Sequence, residues 1–191
     1  LDNHVRKIEC HLLNMLFAAL LISACSSSED LHLTERGLPG EISDPSEYSM
    51  IMQEAGDVPA LAHFPTAIPK DAELVRFHFH PSVFQGGTAL QLRVRLPGSE
   101  VEAIRLEFID KAKYIYSAQM ENDGISQDEE VRTTGFYTGD DSSSEFPDAF
   151  EILVLDAEYL GSDDAPWNHG VSYGIAVSIA DSEIAYWYED W

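Results

Sequence analysis

The sequence predicts an α+β domain, with a mostly antiparallel sheet of about five or six strands packed against one main helix at about 99–116. Three observations predict it. Two stretches, Glu73–His80 and Thr88–Leu96, alternate apolar and polar residues with the period of a half-buried strand. A third, Val171–Tyr188, alternates on both sides of Asp181-Ser182 and reads as a hairpin. Between them a single run from Ser99 carries its apolar residues at helical spacing. Strands grouped around one helix imply an α+β layer.

In the first strand Val75, Phe77 and Phe79 face one way and Arg76, His78 and His80 the other, and Pro81 ends it. In the second, Leu90, Leu92, Val94 and Leu96 oppose Gln91, Arg93 and Arg95. The link between them ends in Gly86-Gly87, suited to a turn, so the strands are expected to pair antiparallel. Pro97-Gly98 stops the second strand. Ser99 and Glu102 have capping-box spacing, and Val101, Ile104, Phe108, Ala112 and Ile115 then share a helical face. Glu107 precedes Lys111 by four residues, the favourable order for an ion pair. Further strands are expected at Val131–Tyr137 and Phe150–Ala157, with acidic loops at 118–130 and 138–149.

Upstream of the domain the chain changes character. Arg6 and Lys7 precede a run from Leu12 to Ile22 broken only by Asn14, too short for the roughly 20 residues of a membrane span but right for a secretory signal. The run ends in Ser23-Ala24-Cys25, followed by the polar tract SSSED. Leu21-Ile22-Ser23-Ala24-Cys25 resembles the lipobox of bacterial lipoproteins. The competing reading is a buried N-terminal helix of a cytosolic domain, but the small residues before Cys25 and the polar tract after it favour processing. The resemblance implies cleavage before Cys25, a diacylglycerol on its thiol and acylation (palmitate) of the new N-terminus. Several acyl chains anchor firmly, because each buried methylene contributes about 0.8 kcal/mol. The resemblance thus implies membrane attachment through Cys25. With Ser26 next, the address is the outer membrane of a diderm or the outer face of a monoderm's cell membrane. Residues 62–97, with HFPTAIPK, FQGG and LQLRVRLP, are also similar to a stretch of uncharacterised bacterial lipoproteins, which supports the address but implies no activity.

The organisation expected is therefore a signal peptide at 1–24, a lipidated N-terminus and tether at 25–57, and one α+β domain at 58–191. The two cysteines, Cys10 and Cys25, leave the domain without a disulfide. The formal net charge is −23, and the signal removes two basic and two acidic residues without altering it. Such a surface repels nucleic acid, which is excluded as a partner.

Three constellations compete for a function. Arg76, His78, His80, Arg93 and Arg95 form a basic stripe on paired strands, a candidate site for a carboxylate, a phosphate or an anionic glycan, since guanidinium forks pair with such groups. The bland alternative pairs these arginines with Glu73, Glu151 or Glu158 on an exposed sheet face. His78 and His80, with His169 or a carboxylate, have the residue types of a metal site, but the neighbouring arginines oppose a cation and no metal is expected. Gln119–Glu130 resembles an EF-hand loop yet lacks its first acidic ligand, so calcium is not expected there either. No cofactor is expected.

Catalytic motifs are absent: no GxSxG, no SxxK, no glycine-rich phosphate loop and no cysteine in the domain. Asp156 and Glu158 offer only a generic carboxylate pair. Trp167, Trp187 and Trp191 could stack on sugar rings or pack the core. The function expected is a lipid-anchored extracytoplasmic binding or interaction module, with an anionic small molecule, a glycan or an envelope protein as partner. The rival is a cell-envelope hydrolase acting on glycan or peptide.

Overall fold

The structure, a computed structural model, describes residues 40–81, 87–118, 131–140, 144–161 and 169–191. The signal segment, Cys25, the first part of the tether, the Ser82–Gly86 turn, the EF-hand-like loop at 119–130, Asp163-Asp164 and Trp167 lie outside the described residues.

The fold is α+β: a six-stranded, wholly antiparallel sheet with two short helices. Helix α1 is Tyr48–Ala55, strands β1 and β2 are Leu74–His80 and Ala89–Arg95, and helix α2 is Gly98–Ile109. Strand β3 is Tyr114–Ser117, β4 is Glu151–Tyr159, β5 is Gly170–Ser178 and β6 is Glu183–Asp190. The spatial order is β1-β2-β6-β5-β4-β3, so β6 joins the β1–β2 hairpin to the β3–β4–β5 meander. The expected pairing of the first two strands is present, with Arg76 opposite Arg93 and Phe77 opposite Leu92. The β5–β6 hairpin turns at Ile179–Ser182, where Ser182 takes the left-handed conformation at φ 56°.

Both sheet faces are covered. Phe77, Phe79, Leu90, Leu92, Val94, Ile175, Ile184 and Tyr186 share one cluster with Tyr48 and Ile51 of α1 and with Val101 and Phe108 of α2. The opposite face contributes Ile152, Val154, Ala176, Ala185 and Trp187 to a second cluster, completed by Val131, Phe136, Phe146 and Phe150. Burial on two sides explains why β6 is buried continuously from Glu183 to Glu189, whereas a strand with one wet face would alternate. The close spacing has a local requirement at Gly174. A Cβ there would lie 2.1 Å from the Leu153 carbonyl oxygen and 3.0 Å from the Trp187 ring.

Four expectations are corrected. The main helix was expected to run to about 116; it ends at Ile109, and its last third is instead a turn and β3. Ile115 fits the helical spacing by coincidence, but in YIYS the aromatic and β-branched residues favour a strand, and Ile115 is 48% exposed at the sheet edge. The capping box does not form. Pro97 is the N-cap, its carbonyl accepting from Glu100 and Val101 N–H, and Ser99 lies inside the first turn. Val131–Tyr137 is not a strand but an irregular segment crossing the second sheet face. Its polar backbone groups are met by side chains of the sheet: Gln91 Nε2 donates to Gly135 O at 2.9 Å, and Gln91 Oε1 accepts from Thr138 N–H at 3.0 Å. Finally, the tether expected at 25–57 is in its described part packed on the domain: Tyr48 and Ile51 are fully buried and Ile42 bridges to Phe79 on β1. The sequence offers only a short helical turn at Tyr48–Ala55, where α1 stands and completes the first cluster.

Candidate functional site

In an antiparallel sheet directly opposed residues share a face. The register therefore sets out the second face as rows running across β1, β2 and β6. One row is Arg76, Arg93 and Ala185; the next is His78, Gln91 and Trp187; the last is His80, Ala89 and Glu189. All five members of the predicted basic stripe project from this face or its margin, and the rows divide them into two groups with different fates.

The arginines are satisfied from within. Arg93 Nε donates to Glu183 Oε2 at 2.8 Å, and its Nη1 donates to Thr138 O at 2.9 Å and lies 3.4 Å from Asp140 Oδ2. The same guanidinium sits 5.0 Å above the Phe136 ring. Arg95 Nη2 reaches Glu183 Oε1 at 2.6 Å, and Arg76 Nη2 reaches Asp140 Oδ1 at 3.1 Å. The Arg76 guanidinium beside Asp140 holds that carboxyl below the usual carboxylate range. Thus Glu183 and Asp140 neutralise the stripe. Neither acid was among the partners expected; Glu151 pairs with Arg105 at 2.7 Å instead. Both lie far from the arginines in sequence, so only the pairing of β2 with β6 and the path of the 131–140 segment bring them there.

The histidines stand apart, at the open end of the face. His78 is half-buried, its ring stacked on Tyr137 with centroids 4.7 Å apart and planes at 15°, and its Nδ1 lies 3.5 Å from Glu41 Oε1. Burial pulls the His78 pKa down, against the opposing pull of Glu41. His80 is exposed. Between His80 and Glu189 the row contains only the methyl of Ala89, and this gap opens into a cleft of about 510 Å³. Its walls are Glu41, His78, His80, Tyr137, Glu189 and Trp191. Tyr137 O–H donates to Glu189 Oε1 at 3.1 Å, while Glu189 Oε2 is buried with no hydrogen-bond partner among the described residues. Burial pushes the Glu189 pKa up, against the pull of Thr134, Tyr137 and Arg132. Tyr137 is pushed up to about 12, first by burial and then by the Glu189 charge, so its hydroxyl keeps its proton.

Sequence reasoning singles out His78, His80 and, among the late tryptophans, Trp191, but misses Tyr137 and Glu189. Glu189 carried a signal in retrospect: a carboxylate inside EIAYWYED, a run otherwise apolar enough to be buried on both faces. The remaining candidates do not assemble. Among the described residues no group of three His, Cys, Asp or Glu could hold a metal, and His169 is exposed at the start of β5. Asp156 is held by Lys113 at 2.5 Å, and Glu158 is exposed. Trp187 is fully buried in the second cluster, and Trp191 lies under the Arg132 guanidinium at 4.8 Å.

No family model matches the chain, and no curated protein or solved structure matches it.

Proposed function

We propose that the protein is a lipid-anchored extracytoplasmic binding module, held in the cell envelope through Cys25, whose ligand site is the cleft between His80 and Glu189. The observation that carries the binding reading is the cleft itself. A concavity of about 510 Å³ falls in the range of small-molecule sites, and its walls combine aromatic rings with a few convergent polar groups. The arginine stripe, expected to take an anion, supports this less well because Glu183 and Asp140 already occupy its forks. The address rests on the residues before Cys25: a positive start, a short apolar run and small residues at the cleavage point. No helix among the described residues is long and apolar enough to cross a membrane.

A hydrolase would need two carboxylates free to act on one substrate. In this cleft Asp190 Oδ1 accepts from Thr88 N–H at 2.5 Å and its Oδ2 from Tyr188 O–H at 3.2 Å, and the third acid, Glu41, is largely exposed beside His78, so Glu189 has one engaged acid and one solvated acid as its possible partners. Binding is therefore the better-supported reading.

The test is membrane fractionation with intact-mass measurement of wild-type and Cys25→Ala protein in a bacterial host that processes lipoproteins. Acylated wild-type protein in the membrane and unmodified variant outside it are expected. Unmodified wild-type protein in the soluble fraction would remove the anchor from the proposal.

A further inference from the structure

The geometry points to a neutral polyhydroxylated ligand, a saccharide, as the occupant of the cleft, with Glu189 accepting from one of its hydroxyls. This rests on the cleft being a binding site and names what enters it.

The argument proceeds by the chemistry of the walls. Among the described residues no lysine or arginine lines the cleft itself, Arg132 reaching it only over the Trp191 ring, and its three acidic groups Glu41, Glu189 and Asp190 disfavour an anion. A cation fares little better. Both Asp190 oxygens are engaged by Thr88 and Tyr188, and Glu41 has a side chain 64% exposed and lies beside His78. That leaves Glu189, 8% exposed, in surroundings whose burial penalises its charge although Arg132 pulls the other way.

What the cleft offers instead is unmet hydrogen bonding. Glu189 Oε2 has no partner among the described residues. Directly across from it on β5, behind the cleft wall, Ser172 Oγ is also buried and without one. The exposed His80 imidazole stands on the opposite wall with a ring N–H to donate. A hydroxyl both donates and accepts, so vicinal hydroxyls can donate to Glu189 and accept from His80 together. An ammonium could meet only the first and a phosphate only the second. The rings of Tyr137 and Trp191 supply apolar contact for the C–H faces of a sugar. Ala89 sets the width between the two polar walls.

The experiment is a binding titration of the full chain in detergent, followed by tryptophan fluorescence and calorimetry. A panel of neutral oligosaccharides is the probe, with methylammonium and inorganic phosphate as counter-probes. Ala89→Leu fills the gap, Glu189→Ala removes the acceptor, and Asp156→Asn lies outside the cleft as a control; thermal melts establish that each variant folds. The expected result is saturable binding of a saccharide that weakens about tenfold or more in both cleft variants and not in Asp156→Asn. Binding of only methylammonium or phosphate, lost in Ala89→Leu, would overturn the saccharide while keeping the cleft as a site. Saccharide binding unchanged by Ala89→Leu, or no binding of any probe, would overturn both.

Discussion

Arg93 and Glu183, on the adjacent strands β2 and β6, form a hydrogen-bonded ion pair at 2.8 Å in which both side chains are more than nine-tenths buried. The pair lies where the hairpin meets the meander. Removing one member of a buried pair leaves the other charge in a poor solvent, at a cost of about 3–5 kcal/mol. Glu183 keeps Arg95 at 2.6 Å, which moderates the loss. Arg93→Ala is therefore expected to destabilise the protein by about 3 kcal/mol in chemical denaturation. Arg93→Met combined with Glu183→Met is expected to cost less than the single change. Equal or larger loss in the double variant would show that the pair stabilises beyond its own desolvation.

Gln91 fastens the 131–140 segment to the sheet through three bonds, to Gly135 O, Thr138 N–H and Thr138 Oγ. Gln91→Leu is nearly isosteric and leaves those groups unmet, costing about 1–3 kcal/mol. The effect is expected to be local. Hydrogen exchange at Thr138 should accelerate while the amides of β2 and β6 stay protected, and uniform acceleration across the sheet would refute a local role.

His63 gives stability a dependence on pH. Its ring is buried, Nε2–H donates to Trp187 O at 3.1 Å, and burial drives its pKa down to about 4. An unfolded imidazole takes its proton near pH 6.5, so between about 6.5 and 4 the unfolded chain binds a proton that the folded chain refuses. Stability contributed at this site is complete above pH 6.5 and falls as pH drops through that window, by about 3 kcal/mol in all. His63→Phe should flatten the unfolding free energy between pH 5 and 6.5 relative to wild type. Parallel profiles would mean that His63 titrates normally.

Gly174 sits on β5 opposite Val154 and against the Trp187 ring. Gly174→Ala must displace either the Leu153 carbonyl or the indole, and overpacking of this kind costs about 1–3 kcal/mol. The near-ultraviolet circular dichroism of the variant should lose intensity from the Trp187 environment. An unchanged spectrum with unchanged stability would show that β4 and β5 can separate there without cost.

The strands whose residue types alternate were legible: β1, β2 and the β5–β6 hairpin all lie where their period placed them, although β2 and β6 are buried on both faces. The 99–116 helix was half legible, since Val101 and Phe108 are its buried residues but Ile115 belongs to a strand. Short apolar windows satisfy both periods, and the neighbour that decides between them, Val154 beside Tyr114, is forty residues away. Val131–Tyr137 reads as a strand for a related reason: its apolar residues report burial, and burial under a sheet face looks the same in sequence as burial within a sheet. The site suffered most. His78 and His80 show themselves by alternation, whereas Glu189 and Tyr137 join them only through the strand order and a crossing loop.

That strand order has a consequence for synthesis. The strand that bridges the two halves is the sixth of six to leave the ribosome, and it must slot between β2 and β5, which are already made. Until it is made, β2 and β5 lack the neighbour they share, so the six-stranded sheet can be complete only once the last strand of the chain is in place.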